Sequence, residues 1–269
     1  MRFFGIDFSR YKLGVSNGIR VTQICELTVY IFGSVIEHTL INNNMNDDYK
    51  ELYIDTYWKY YLKLENRLCK TEEFVAFDNA NKKAFSIEYL SLLQIICSEI
   101  DVVAKTISAY YNKDFDFKDS SIIKWGYEIQ NDLPGIMDQG VLFNNKEIIQ
   151  PWRNWSLEER KDKNGKRYYG YSKGCGSPEW WKAYTDVKHA RTAIKDSIVN
   201  YHRANQENVV YALAALYILH RLMLKRIDKD AYALIERSQL FAVPGWNDET
   251  RADYVIKPDG SVRIVYSRP

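Results

Sequence analysis

Glycine and proline are scarce in this sequence and unevenly placed. The chain has 13 glycines and 6 prolines in 269 residues, and neither type occurs in residues 34–125. Because these two residue types interrupt helices, so long a stretch without them predicts several consecutive helices. The sequence also has no glycine-rich phosphate loop, no nucleophile elbow and no zinc signature, which leaves the commonest catalytic motifs out of consideration.

Cysteines are few, and no two of the four lie at the spacing of metal ligands. Free thiols in a reducing cytoplasm are therefore predicted, with no metal and no cofactor. The longest apolar runs, residues 29–36 and 209–219, fall short of the roughly 20 residues that span a bilayer. We read them as buried segments, and Asp7 and Arg10 interrupt any signal-peptide core. The expected location is cytoplasmic, without a membrane contact.

The chain also has no large excess of either charge, since 37 basic and 35 acidic residues give a net charge of +2. This balance argues against a uniformly basic nucleic-acid-binding protein, although local basic patches remain open.

Helical periodicity dominates the sequence after residue 47. Helices are predicted over residues 48–70, 86–111 and 119–131, the second one capped by Ser86. Farther along, Ser177 is predicted to cap a helix whose first residue is Pro178.

The last predicted helix covers residues 207–227 after a break at residues 200–205. Its first half is apolar on nearly all sides, which indicates a central position. Four cations near its end suit a helix C-terminus: His220, Arg221, Lys225 and Arg226.

Two hairpins are predicted from turn residues, one near residues 158–173 and one over residues 254–266. The predicted organisation is an irregular segment (1–47) packed on a helical bundle (48–240), followed by a C-terminal hairpin (241–269). The fold class is mainly α, with small peripheral β-hairpins.

One group of candidate site residues lies on the helix 86–111. Six side chains recur at steps of three and four residues and form a polar stripe: Ser91, Gln94, Ser98, Asp101, Lys105 and Ser108. Asp101 and Lys105 are an (i, i+4) ion pair. Glu99 lies off the stripe among apolar neighbours. The stripe either lines a cleft or is the solvent-facing edge of a core helix.

The densest group follows Pro178. On a helix, Trp181, Tyr184, Lys188 and Arg191 form an aromatic and cationic ladder beside an apolar face. That apolar face is formed by Trp180, Ala183, Val187, Ala190 and Ile194. Flat aromatic rings with cations suit contacts to bases and phosphates.

Asp186 is placed to orient His189 for acid–base chemistry. The alternative is architectural: the tryptophans anchor the core, and Lys188 and Arg191 pair with Glu99 or Asp101.

Two further segments are basic. His202 and Arg203 join the previous group if the helices fold back on one another, and otherwise form a turn in which Asn205 caps the next helix. The hairpin near residues 158–173 carries Lys166, Arg167 and Tyr169, which suit a single-stranded nucleic acid. The alternative is a charged hairpin without a partner.

Two segments together resemble a group of bacterial proteins with a helical core similar to the HEPN superfamily. The first is residues 86–105, with SEIDVVAK at 98–105. The second is residues 178–191, with PEWWKAY and KHAR, continuing through residues 204–205 to residues 209–219. The resemblance covers about residues 85–240. It implies a helical bundle, often dimeric, in a superfamily with many ribonucleases of toxin–antitoxin and phage-defence systems.

The HEPN ribonuclease motif itself, arginine followed after four to six residues by histidine, is missing. Lys195 stands six intervening residues before His202, but lysine lacks the planar fork of arginine. The resemblance therefore implies the bundle and not the nuclease site.

The leading hypothesis is a HEPN-like protein that binds RNA or, as a further option, cleaves it. Lys188, His189 and Arg191 would contact phosphate or transfer protons, and three acids and a base would support them: Glu99, Asp101, Lys105 and Asp186. Trp181, Tyr184, Lys166, Arg167 and Tyr169 would contact the nucleic acid, and a homodimer is an additional expectation. The rival is a non-catalytic interaction protein. A distant third is a metal-dependent nuclease that uses Asp7, with a second strand over residues 12–15.

Overall fold

The computed structural model describes residues 2–3, 6–7, 48–118, 121–232, 235–244, 251–256 and 262–267, apart from residue 230, and the backbone of residues 233–234. For residues 2–3, 6–7, 251–256 and 262–267 only the backbone is described. The chain divides into two compact units, Met1–Glu51 and Leu52–Pro269. In the first, β1 (Arg2–Phe3) pairs antiparallel with β2 (Ile6–Asp7). The second strand expected over residues 12–15 lies outside the described residues.

Helices dominate the second unit, which confirms the predicted mainly α class. A π-helical turn, Ile54–Trp58, follows α-helical residues 48–53 and leads directly into the helix called α1 below. Five α-helices of the described residues have both ends defined: α1 (Lys59–Thr71), α2 (Ile87–Tyr111), α3 (Ile122–Asp132), α4 (Glu179–Ala190) and α5 (Gln206–Ile227). The helix predicted over residues 48–70 is helical along its whole length, with the π-helical turn inside it. The other two helices predicted in the first half are present within three residues of their predicted limits.

Side-chain caps explain several of the helix starts. The Ser86 hydroxyl accepts from the Tyr89 amide, and the Asn205 side chain accepts from the Asn208 amide, as predicted for both. The prediction for α4 was wrong by one residue. Pro178 occupies the capping position with an extended backbone, and Ser177 instead forms a hydroxyl–hydroxyl hydrogen bond with Tyr171.

The core is built around α2 and α5. Every residue of α5 from Ala212 to Arg221 is buried, which confirms its predicted central position. By length and composition α5 also resembles a membrane span, but 78% of its apolar window is buried inside the protein.

Two side chains that were predicted to lie near the C-terminal end of this helix are buried instead. His220 and Arg221 are 0% and 1% exposed, and only Lys225 and Arg226 belong to the last turn. Their predicted role at the helix C-terminus is therefore wrong, because α5 continues for six residues beyond Arg221.

Small antiparallel sheets surround the helices. Strands β3 (Val141–Phe143), β4 (Glu147–Ile149) and β9 (Phe241–Ala242) form one sheet in the order β4-β3-β9. The hairpin predicted near residues 158–173 is confirmed as β5 (Leu157–Lys161) and β6 (Arg167–Tyr171). The tail hairpin is confirmed as β10 (Arg251–Ile256) and β11 (Val262–Ser267), although its turn lies outside the described residues.

A further hairpin replaces the end of a predicted helix. Strands β7 (Ile194–Lys195) and β8 (Ile198–Val199) follow α4, which ends at Ala190. Ile194 was expected on the buried face of that helix and is instead 72% exposed.

Four buried tryptophans join the β5–β6 side of the molecule to α3 and α4: Trp125, Trp152, Trp155 and Trp180. Gly126 permits this packing, because a Cβ atom there would lie 2.3 Å from Cζ2 of Trp155. The Trp180 indole donates to the carbonyl of Pro151 at 2.8 Å and so fixes the start of α4 against the segment after β4.

Candidate functional site

A cleft of about 880 Å³ lies between α4, the segment after β4 and the start of α5. Its lining is mixed: apolar side chains from Phe85, Ile148 and Ile198 stand beside the charged side chains of Arg153 and Arg203. A concave site with a few polar groups among apolar ones is the usual form of a ligand site.

A stacked pair of rings forms part of the lining. The rings of Phe85 and His202 lie 4.0 Å apart between centroids, at 21° to one another. Phe85 is held by a β-bridge to Asn205, and His202 lies in the 3-10 helix Asn200–Arg203 just before α5. Because Phe85 is still 43% exposed, the pair can accept another flat ring.

Two arginines, Arg203 and Arg153, supply positive charge to the cleft and differ in their hydrogen bonding. Nη2 of Arg203 donates to the carbonyl of Lys195 at 2.9 Å and to Asp196 at 3.0 Å, while its Nε lies 3.7 Å from Oδ2 of Asp186. Arg203 is thus fixed in place. The guanidinium of Arg153 has no hydrogen bond or ion pair with any described residue, so it is available to an anion.

The start of α5 does not add an anion site of its own. The amides of Gln206 and Glu207 donate to the carbonyls of Ala84 and Lys82, and Asn205 caps the amide of Asn208. The N–H groups that attract anions at many helix starts are therefore occupied. Any anion in the cleft must be bound by side chains.

Tyr211 lines the same cleft and is half-buried. Burial raises its pKa, with further increases from Glu207 and Glu147, while Lys82 and Arg153 lower it. The hydroxyl is therefore neutral at physiological pH and able to donate a hydrogen bond to a ligand.

The predicted catalytic residues lie elsewhere. Lys188, His189 and Arg191 are exposed at the C-terminal end of α4 and do not line the cleft. The predicted contact between Asp186 and His189 is not formed, because the Asp186 carboxylate binds Lys195 at 2.9 and 3.0 Å and faces Arg203. Asp186 therefore supports the cleft through Arg203.

The other flank of α4 carries the predicted aromatic ladder. The ring of Trp181 lies 5.9 Å from Trp125, and Nζ of Lys188 lies 5.4 Å from the ring centroid of Tyr184. Successive residues rotate by about 100° around a helix. Glu179 and Ala183, which line the cleft, therefore lie on the flank opposite Trp181 and Lys188.

The polar stripe of α2 meets this ladder through Trp125. The Trp125 indole donates to Asp101 at 3.0 Å, and Asp101 also binds Lys105 at 2.5 Å. No member of the stripe lines the cleft. Ser108, moreover, is fully buried and donates to the carbonyls of Ala104 and Trp125, so the stripe is not a solvent-facing edge along its whole length.

Glu99 stands apart from these contacts. Burial raises the pKa of its carboxyl group, and within the described part of the chain it forms no ion pair. The pairing of Lys188 or Arg191 with Glu99 or Asp101, offered as the architectural alternative, is not formed among the described residues.

The basic hairpin is only partly open to a ligand. Lys166 is exposed, and Arg167 pairs with Glu159 at 3.1 Å. The ring of Tyr169 stacks on Tyr127 with centroids 4.0 Å apart. One face of Tyr169 is therefore covered by the protein.

Sequence reasoning missed several cleft residues, namely Phe85, Arg153 and Tyr211. His202 and Arg203 were recognised as a group that could join α4, and Arg203 does so through Asp186. Nothing in the sequence around Arg153 distinguishes it from other surface arginines. Among the described residues no group of three histidine, cysteine or acidic side chains is placed to hold a metal, and the side chain of Asp7 is not described.

Comparison of the chain with protein-family models, with curated proteins and with solved structures finds no match.

Proposed function

We propose that this chain is a HEPN-like helical protein that binds single-stranded RNA in the cleft beside α4. The observation that carries the proposal is the stacked Phe85–His202 pair in the same cleft as two guanidinium groups. A base would stack on the exposed part of Phe85, and phosphate would bind Arg153 and the remaining N–H groups of Arg203.

Single-stranded RNA fits this lining better than a duplex. In a duplex the flat faces of the bases are covered by their neighbours, whereas single strands can present a base to an aromatic ring. The fixed position of Arg203 also lowers the entropy lost when a phosphate binds, because its guanidinium is already oriented by Asp186 and Asp196.

Binding is proposed here rather than cleavage. Acid–base catalysis by histidine commonly uses a second group that orients the ring. Neither His202, which stacks on Phe85, nor the exposed His189 has a carboxylate hydrogen bond among the described residues.

The test is fluorescence anisotropy of a short labelled single-stranded RNA with the wild type, Phe85→Ala and Arg153→Ala. Loss of the stacking ring should weaken binding about tenfold or more, since stacking on an aromatic side chain contributes about 1–3 kcal/mol per base. Loss of Arg153 should weaken binding and lower the slope of log K against log salt by about one.

Lys163→Ala is the matched control, because it removes one cation from the exposed β5–β6 turn, which does not line the cleft. Lys188→Ala/His189→Ala tests the residues that the sequence favoured. Equal weakening by Lys163→Ala and Arg153→Ala would show unspecific charge attraction and reject the cleft as the site. If RNA does not bind even at low salt, the proposal is wrong and a non-catalytic protein-interaction role becomes the better one.

A further inference from the structure

A second cavity, of about 240 Å³, lies beside the cleft. Glu207 and Tyr211, about one helical turn apart on α5, line both cavities and so form a wall between them. The two cavities also meet along β4, where Glu147 lines the second cavity and its neighbour Ile148 lines the cleft. A chain molecule that fills the cleft can therefore continue past Tyr211 into the second cavity.

Part of the lining of the second cavity is apolar, and one of its walls is held in place. The buried rings of Phe77 and Phe143 meet edge to face, with centroids 5.5 Å apart. The β3–β4 turn has positive φ at both Asn144 (47°) and Asn145 (53°), and the Asn144 amide donates to the carbonyl of Leu240 at 2.8 Å. A small preformed cavity with apolar walls suits one flat base, and its rigidity lowers the entropy lost on binding.

Two carboxylates of this lining each keep one oxygen available. Oε2 of Glu147 binds Nζ of Lys82 at 3.3 Å, and Oε2 of Glu207 binds Nζ of Lys83 at 2.5 Å. Within the described part of the chain, the Oε1 atom of neither acid has a hydrogen bond. A carboxylate oxygen accepts hydrogen bonds and cannot donate, so it suits a base that carries an amino group. Uracil has a carbonyl oxygen where cytosine has its amino group, and would turn an acceptor toward these acids.

The wall between the cavities suits a phosphate. Burial raises the pKa of Tyr211, whereas Lys82 from the second cavity and Arg153 from the cleft lower it, so both cations act on the hydroxyl. The two acids that also act on it are each paired with a lysine, and the guanidinium of Arg153 leaves a surplus of positive charge. The neutral hydroxyl adds a hydrogen-bond donor.

We propose that the site binds two consecutive nucleotides of single-stranded RNA, with one base on Phe85 in the cleft and the next in the second cavity. The linking phosphate would lie at Tyr211 and Arg153. The second cavity would prefer a base with an exocyclic amino group, such as cytosine, which would donate to Oε1 of Glu147. This inference rests on the proposed function, because it takes the cleft as the place of the first base.

The experiment is competition against a labelled cytidine tetranucleotide, followed by fluorescence anisotropy. The competitors are the dinucleotides CpC and UpU and the methyl ester of cytidine monophosphate, which carries one base and the same single phosphate charge. CpC should compete at least about tenfold better than the ester, because binding of its first base holds the second at a high effective concentration. It should also compete at least about fivefold better than UpU, the discrimination expected of a well-placed hydrogen-bonding group.

Glu147→Gln isolates the second cavity, since Glu147 does not line the cleft. Glutamine has nearly the same size and can both donate and accept, so the ratio of CpC to UpU affinity should fall close to one. Loss of the ion pair with Lys82 alters the attraction for phosphate equally in both dinucleotides and leaves this ratio unchanged. Glu73→Gln is the matched control: it neutralises an exposed acid outside both cavities and should keep the wild-type ratio. Circular dichroism should show both variants folded.

Equal competition by CpC and the ester would overturn the second subsite. So would equal affinities for CpC and UpU, or a preference that Glu147→Gln retains. In each of these cases weaker binding by Phe85→Ala would leave the proposed function standing, because that variant tests the cleft alone. If the labelled tetranucleotide does not bind even at low salt, the proposed function and this inference both fail.

Discussion

Two histidine–arginine pairs, each formed by close neighbours in the sequence, differ in their burial. His189 and Arg191 lie at the end of α4 and are exposed, whereas His220 and Arg221 lie within α5 and are buried. The exposed pair attracted a catalytic interpretation because many titratable residues surround it in the sequence. The buried pair was assigned to a helix end. The difference teaches that the density of polar residues along the chain does not show where polar groups converge in space.

The buried region is an extended polar cluster within an aromatic core. Nδ1 of His220 lies 3.0 Å from the Tyr53 hydroxyl, and the His220 ring packs edge-on to Trp58 and Tyr61. Arg221 donates to the Tyr217 hydroxyl at 2.7 Å and lies 3.4 Å above the ring of Tyr232. These contacts replace part of the water for groups that would otherwise be costly to bury, while Nε2 of His220 is buried without a hydrogen bond to the described residues.

The largest effect is expected at Glu65, which is 2% exposed. Its carboxylate accepts from the hydroxyls of Tyr61 and Ser238 and from the amides of Gln239 and Leu240. Glu65→Ala leaves these buried donors without an acceptor, and we expect it to lower the free energy of unfolding by about 3–5 kcal/mol. Urea denaturation followed by circular dichroism measures the loss.

Glu72→Ala is the matched control, because it removes an exposed carboxylate from the end of the same helix. We expect it to change the free energy of unfolding by less than about 0.5 kcal/mol. Similar losses in the two variants would contradict the structural role assigned to Glu65.

The second effect is a pH dependence of stability that comes from His220. Burial lowers its pKa to about 3, well below the value of about 6.5 expected in the unfolded chain. Between these two pH values the unfolded state binds a proton that the folded state does not bind. The contribution of His220 to the free energy of unfolding is therefore fully present above about pH 6.5 and is lost as the pH falls toward 3. The slope from this group is about 1.4 kcal/mol per pH unit.

His220→Asn should flatten that part of the profile. Asparagine can still hydrogen-bond to Tyr53 and does not titrate, so stability measured by urea denaturation between pH 7 and 4 should lose the component due to His220. An unchanged slope in this variant would mean that other groups cause the acid sensitivity.

The smallest effect on stability is expected at His189. Because its ring is exposed and has no hydrogen bond to the described residues, His189→Ala should change the free energy of unfolding by less than about 0.5 kcal/mol. A loss of more than about 1 kcal/mol would instead favour the architectural interpretation of this segment.

Local features of the fold were predictable because their causes are local. Ser86 and Asn205 cap their helices with their own side chains, and the glycine at position 165 lies in the turn of the β5–β6 hairpin, where its φ is 80°. Periodicity located the central helix α5, since an all-apolar surface must be buried. The end of α4 was not predictable, because a short β-hairpin with Asp196 and Ser197 in its turn lacks the usual glycine signal.

Only some residues of the candidate site were predicted from the sequence. Arg203 and His202 were recognised as a group that could join α4, but Phe85 and Arg153, from distant parts of the sequence, were not recognised at all. Their meeting depends on long-range packing: the Trp180 indole bonds to Pro151, and Phe85 bridges Asn205. Neither contact has a counterpart in spacing along the chain.

By itself, the sequence determined the helical class, most helix starts, the two longer hairpins and the burial of α5. These follow from backbone preferences and from the free energy of burying apolar surface, which act within a few turns of chain. Only the tertiary structure decided which titratable groups are buried, which flank of α4 faces the cleft, and which arginine there has no partner among the described residues. Those properties depend on side chains that come from well-separated segments, and on the cost of removing each polar group from water.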